Sequence, residues 1–138
     1  MIQEINTQIC IIFTKTEVTK HVNKNNSDHG ILFEAIRLAL SLGEAAQENI
    51  IKDSIKMMAK FIGIREPNIR YTALEILSKA TPQHLVTYPT LLKDNLNELL
   101  KGLKEPDISI RKAALDNLFM LATEETSAEI INELLDHI

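Results

Sequence analysis

Four residues recur at one spacing: Arg70 and Arg111, Ala73 and Ala114, Leu74 and Leu115, and Leu77 and Leu118 each stand 41 positions apart. Each set follows a Glu-Pro pair, Glu66-Pro67 or Glu105-Pro106. One coincidence would carry no weight. Four in register mark an internal repeat, with a period in the range of helical solenoids. This feature constrains the fold most, because a unit that short cannot bury its apolar face alone and must stack on a neighbour.

The residues around the repeat agree. Pro106 and Asp107 suit the first turn of a helix, where a missing N–H costs nothing and a carboxylate faces the positive end. Asp107 and Arg111 are four apart and are expected to meet on one face. Ile110, Ala114, Leu118 and Leu121 continue as an apolar stripe, so Leu118 is expected to be buried, and Leu115 with it. The chain of 138 residues is 45% hydrophobic, with 4% aromatics and no Trp. That mix favours helices packed through aliphatic side chains over a sandwich or barrel.

In order, Ile2, Ile5, Ile9, Ile12 and Phe13 predict a first helix over residues 2–14. The polar stretch Thr14 to Asn26 reads as a loop that gathers Lys15, Lys20, His21 and Lys24. Such a cluster could meet an anionic head group or acidic peptide, but a solvated linker is the better reading, since short charge runs are usually surface. Ser27-Asp28 is expected to cap a helix that ends near Leu42, with Gly43 at its C-terminal end. A third helix follows over about 46–63, and a fourth from Pro67 to about Ala80, where Thr81-Pro82 stops it. After a connector at His84 to Pro89, Leu91, Leu92, Leu96, Leu99, Leu100 and Leu103 mark a fifth. The sixth starts at the repeat and ends near Thr123, and Ser127 caps a seventh. The expected architecture is all-α: a right-handed α-solenoid of about seven helices, a lone first helix followed by three hairpins.

No constellation for catalysis emerges. The histidines at 21, 29, 84 and 137 lack partners at metal-ligand spacing, and one cysteine, Cys10, cannot build a zinc site or an internal disulfide. Asp136-His137 has no accompanying nucleophile. Glu124-Glu125 has nothing nearby to separate two carboxyl pKa values, and Gly30, Gly43, Gly63 and Gly102 form no phosphate loop. Arg70 and Arg111 suit anions, but their recurrence fits a stacking ladder better, each within reach of Glu66 or Asp107 and of the neighbouring repeat's loop. Tyr71 is expected to pack half-buried with its hydroxyl at the rim. A net charge of −4 argues against a nucleic-acid partner. No apolar run approaches the roughly 20 residues that cross a bilayer. No cofactor, metal or small-molecule substrate is expected.

The Asp/Asn-x-Ile-Arg-x-x-Ala-Leu pattern resembles HEAT repeats. Ile31-Leu32-Phe33-Glu34-Ala35-Ile36, Asn68-Ile69-Arg70-Tyr71-Thr72-Ala73-Leu74-Glu75 and Asp107-Ile108-Ser109-Ile110-Arg111 are together similar to segments of the trunk of the large adaptin subunits of clathrin adaptor complexes. Phe33-Glu34-Ala35-Ile36 is closest to the alpha-adaptin branch. The resemblance covers residues 15–138. It implies that residues 1–138 are a single segment of a longer HEAT-like trunk. It further implies a non-enzymatic scaffold in vesicle-mediated transport, with other adaptor subunits and coat proteins as partners. The expected location is cytoplasmic, peripheral on membranes or coated pits through the complex. No lipid-binding residue of the family maps onto this chain.

Two other classes remain open. A generic HEAT or armadillo scaffold would serve nuclear transport or kinase and phosphatase assemblies, since one fold hosts many functions. An all-helical enzyme would need a polar pocket with a pKa-shifted Glu or His. The partner recovered separates the first two.

Overall fold

In the computed structural model the backbone is described for residues 1–18, 26–84 and 95–136, with side chains at 1–14, 29–80 and 95–136. Among the described residues there are seven α-helices and no strand. They are α1 (Ile2–Val18), α2 (Asn26–Ser41), α3 (Glu48–Ile62), α4 (Pro67–His84), α5 (Leu96–Gly102), α6 (Ile108–Leu121) and α7 (Ser127–Leu135). The chain is all-α, built from amphipathic helices, as its periodicity predicts. It divides into two compact units, Met1–Ser54 and Ile55–Ile138.

In the first unit α1 packs on α2. Ile9 and Phe13 of α1 and Leu32, Ile36 and Ala39 of α2 are buried, while Ile31 and also Ile2, which was expected on the apolar face of α1, are exposed. Asn6 shares the buried face of α1 and donates from Nδ2 to the Ala45 carbonyl at 3.2 Å, tying α1 to the turn after α2. Gly43 carries φ 55° just past the end of α2, the left-handed conformation that terminates a helix and that glycine adopts without a Cβ penalty. The α1 helix runs four residues beyond its expected end at Thr14. The Thr14 hydroxyl bonds back to the Cys10 carbonyl at 2.9 Å, so this polar residue is satisfied within the helix and does not break it.

In the second unit α6 packs against both α4 and α5. The α4 helix passes Thr81-Pro82 and ends at His84. Proline denies one N–H to the Ser78 carbonyl, and α4 continues only two residues past it. The connector after His84, with Leu91 and Leu92, lies outside the described residues; α5 runs from Leu96, with Asn95 at its N-cap. Leu99 and Leu100 of α5 are buried, as are Ala114 and Leu118 of α6. A Cβ on Gly102 would lie 2.7 Å from the Ala114 Cβ. Gly102 therefore does more than end α5: it lets α5 approach α6 closely.

Both ends of α6 are closed by side chains. Asp107 is the N-cap, in an extended conformation, and its carboxylate accepts from the Ser109 and Ile110 N–H groups at 2.7 and 3.3 Å. Pro106 therefore stands ahead of the cap, not in the first turn. At the other end the Thr126 hydroxyl donates to the Leu121 carbonyl at 2.8 Å and accepts from the Thr123 N–H at 2.9 Å. Thr126, not Ser127, occupies the N-cap position of α7, and its hydroxyl satisfies the preceding helix instead of its own.

Candidate interaction surface

The four residues 41 positions apart lie on two neighbouring helices, α4 and α6. Ala73, Leu74 and Leu77 on α4 and Ala114 and Leu118 on α6 are all fully buried. Leu115 is not: 40% of its surface is exposed, against none of Leu74. The difference is one of neighbours. Leu74 lies where α4 meets α6, and its carbonyl accepts from Asn117 Nδ2 at 3.0 Å. Beyond α4 and α5, no described helix packs closely on α6.

The two arginines converge on one residue. The buried Arg70 pairs through Nη1 with the Glu105 carboxylate, across 35 positions of sequence. Arg111 donates from Nη1 to the Glu105 and Pro106 carbonyls at 2.8 and 2.9 Å. Glu105 thus takes Arg70 on its side chain and Arg111 on its backbone. The expected Asp107–Arg111 pair does not form, because the carboxylate is committed to capping backbone N–H groups. Glu66 does not pair with Arg70 either, because Arg70 turns to the next loop. The physical content is a clamp: Arg111 holds the loop that presents Glu105, and Glu105 holds α4.

Asn117 adds a second tie that periodicity did not single out. It is fully buried and donates to both Leu74 and Ala113 carbonyls, the latter at 2.8 Å. A buried amide that must reach a particular carbonyl fixes how α4 and α6 lie along each other. Its signal was present in the sequence: Asn117 stands seven residues after Ile110 and three after Ala114, on a face that is otherwise apolar.

Along α4 and α6 an open cavity of about 300 Å³ is lined by Tyr71, Glu75, Ser78, Ser109, Lys112 and Asp116. Tyr71 stands half-exposed at its rim. Glu75 is paired with Lys79 at 2.9 Å, so the cavity is a solvated groove of balanced charge. Among the described residues no three His, Cys, Asp or Glu side chains are placed to hold a metal ion. His29 lies against the Phe33 ring, with centroids 6.4 Å apart. Lys15, Lys20, His21, Lys24, His84 and His137 lie outside the residues whose side chains are described. No described helix is long and apolar enough to cross a membrane.

What remains is surface, and it is apolar on one side of α6: Ile108, Leu115, Phe119 and Met120 are exposed, as are Ile131 and Leu135 on α7. This arrangement can hold other helices. A family model, the adaptin N-terminal region, matches residues 1–138. The chain belongs to that family. It is 38% identical over 128 residues to the AP-2 complex subunit alpha-1 of Arabidopsis thaliana, covering 92% of this chain and 12% of the relative. It is 34% identical to the AP-2 complex subunit alpha-2 of Dictyostelium discoideum, and 28% identical to the AP-1 complex subunit gamma-1 of Arabidopsis thaliana, again over 92% of this chain. In both cases it covers 13% of the relative. The chain thus spans about one eighth of the length of these relatives.

Proposed function

We propose that this adaptin-family chain is a segment of a large-subunit trunk and works as a non-enzymatic scaffold of a clathrin-associated adaptor complex in endocytic vesicle transport. The observation that carries the reading is the likeness to AP-2 alpha subunits over nearly the whole chain, at 38% identity. The AP-1 gamma relatives stand at 28% to 31%, which favours the alpha branch. The physical character of the chain supports the same role. Its polar side chains are spent on helix ends and on ties between helices, and its exposed apolar surface suits protein partners. The partners of this reading are the other subunits of the complex and coat proteins, and the location is the cytoplasmic face of membranes, reached through the complex.

The test is capture from a cytosolic lysate with the 138-residue chain as bait, read by mass spectrometry. Enrichment of small or medium adaptor subunits is the expected result. Enrichment of nuclear transport receptors, kinases or phosphatases in their place would overturn the assignment in favour of a generic helical-repeat scaffold.

A further inference from the structure

We propose that the groove between α4 and α6 is a docking site for an extended peptide segment that carries an acidic and a basic residue two positions apart. The inference goes beyond the scaffold reading and does not depend on which complex is served. The two helices run in the same direction. Arg70, near the start of α4, meets Glu105 just ahead of α6, and Leu74, one turn later, meets Asn117 further along α6. Positions one period apart therefore face each other across the groove: Tyr71 stands opposite Lys112, and Glu75 opposite Asp116. All four line the cavity, and the small, buried Ala113 forms its floor. The groove thus has two levels, one helical turn apart. The first offers donors, the Lys112 ammonium and the Tyr71 and Ser109 hydroxyls; the second offers carboxylates. Glu75 already holds Lys79 at 2.9 Å, so the second level acts through Asp116. The side chains of Lys112 and Asp116 form no ion pair among the described residues, although they stand four apart on one helix. A lysine ahead of an acid at that spacing is the weaker order, which leaves both charges to a ligand.

The occupant follows from the spacing of those charges. Four residues of a helix rise about 6 Å. Two residues of an extended chain advance about 6.7 Å and place their side chains on one face. An acidic side chain then reaches Lys112 while the basic one two positions on reaches Asp116, the peptide running the same way as the helices. The Tyr71 ring walls the groove, and its hydroxyl and that of Ser109 are placed for the peptide's carbonyls. A lone anion would answer only the first level. A helix, about 10 Å across with its side chains, would rest on the rims of a cavity of about 300 Å³ and leave its floor unfilled.

The test titrates the purified 138-residue chain with the end-blocked peptide Thr-Val-Glu-Thr-Lys-Val-Thr and follows backbone amide shifts by NMR. The expected result is a saturable set of shifts confined to α4 and α6 around Tyr71, Lys112 and Asp116, weakened by high salt. The isomer Thr-Val-Thr-Glu-Lys-Val-Thr has the same composition but points its charges to opposite sides, and should bind about two- to fivefold less tightly. Lys112→Ala and Asp116→Ala should each weaken the first peptide by a similar factor, the scale of an exposed charge pair, while Lys112→Arg retains it. All three variants change exposed side chains, and an unaltered Tm shows that each is folded. No saturable shift, or an equal response to the isomer or to a helical peptide with Glu and Lys four apart, overturns the proposal. So do the same shifts produced by inorganic phosphate alone, which would mean an anion site only. Shifts at these amides that grow with the concentration of the chain alone, and vanish with Lys112→Ala, would make the occupant a second copy and overturn it too. Because no lysate is involved, failure here is distinguishable from failure of the capture experiment.

Discussion

Leu115 and Leu118 belong to one helix and stand three residues apart, yet only Leu118 has lost all contact with solvent. Truncating Leu118 to Ala should cost about 2–5 kcal/mol, through lost transfer energy and a cavity among side chains that cannot collapse into it. The same change at Leu115 should cost about 1 kcal/mol or less, since much of that side chain is already in water. Urea unfolding of the two variants checks the contrast; equal losses would mean that Leu115 is covered in solution. The arginines divide in the same way. Arg70→Ala removes a buried guanidinium from Glu105 and should cost about 1.5–3 kcal/mol, the range for a hydrogen bond to a charged group. Glu105 is about a third exposed and recovers part of this from water. Lys104 behaves differently because it is exposed. Its hydrogen bond to Glu133 and then the charge of that carboxylate raise its pKa above the ordinary 10.5, desolvation opposes them, and the charge of Asp136 adds least. A raised lysine contributes stability that is complete below its unfolded value and fades as pH climbs through the folded one. Wild type and Lys104→Met should therefore show a constant Tm difference from pH 7 to 9, closing above pH 10.5. A difference that closed near neutrality would place the effect on another group.

At the scale of the helix, Asp107 and Gly102 sit on either side of one tight turn and do opposite jobs. Asp107→Ala leaves two N–H groups of α6 unmet and should cost about 0.5–2 kcal/mol. Gly102→Ala should also destabilise, although alanine is the better helix former by about 0.5–1 kcal/mol. The added methyl would meet the Ala114 Cβ, which is fixed to its backbone, so α5 and α6 must part, at about 1–3 kcal/mol. A stabilised Gly102→Ala variant, by thermal melting, would show that the two helices have room to spare. These two residues also mark what was legible beforehand. The apolar spacing placed the helices, and the recurrence of Arg, Ala and Leu identified α4 and α6 as neighbours. Helix ends were less legible, because they depend on which hydroxyl or carboxylate finds a backbone group: Thr14 prolongs α1, and Thr126 displaces Ser127 from the cap. The Arg70–Glu105 clamp was least legible in its partner. Glu66, four positions before Arg70, was the natural candidate, and only folding brings Glu105, 35 positions away, to the guanidinium.

Across the whole chain the consequence of a repeat is that stability is gathered locally. Every long-range polar tie that reaches Arg70, Leu74, Glu105 or Asn117 lies inside the unit Ile55–Ile138, while the tie from Asn6 to Ala45 lies inside Met1–Ser54. Each unit also carries its own buried aliphatic set, Ile9 and Ile36 in one, Leu77 and Leu118 in the other. In a quasi-one-dimensional array a lesion is felt by the unit that contains it and its immediate neighbours before the rest. Leu118→Ala should accordingly speed amide exchange in α4, α5 and α6 by about tenfold or more while α1 and α2 change less, and Ile36→Ala should do the reverse. Hydrogen exchange read by mass spectrometry, at a denaturant concentration well below the unfolding midpoint, resolves the two patterns. Uniform acceleration of every helix by either substitution would show a single cooperative body, in which case the repeat describes how the sequence is written but not how the folded chain stores its stability.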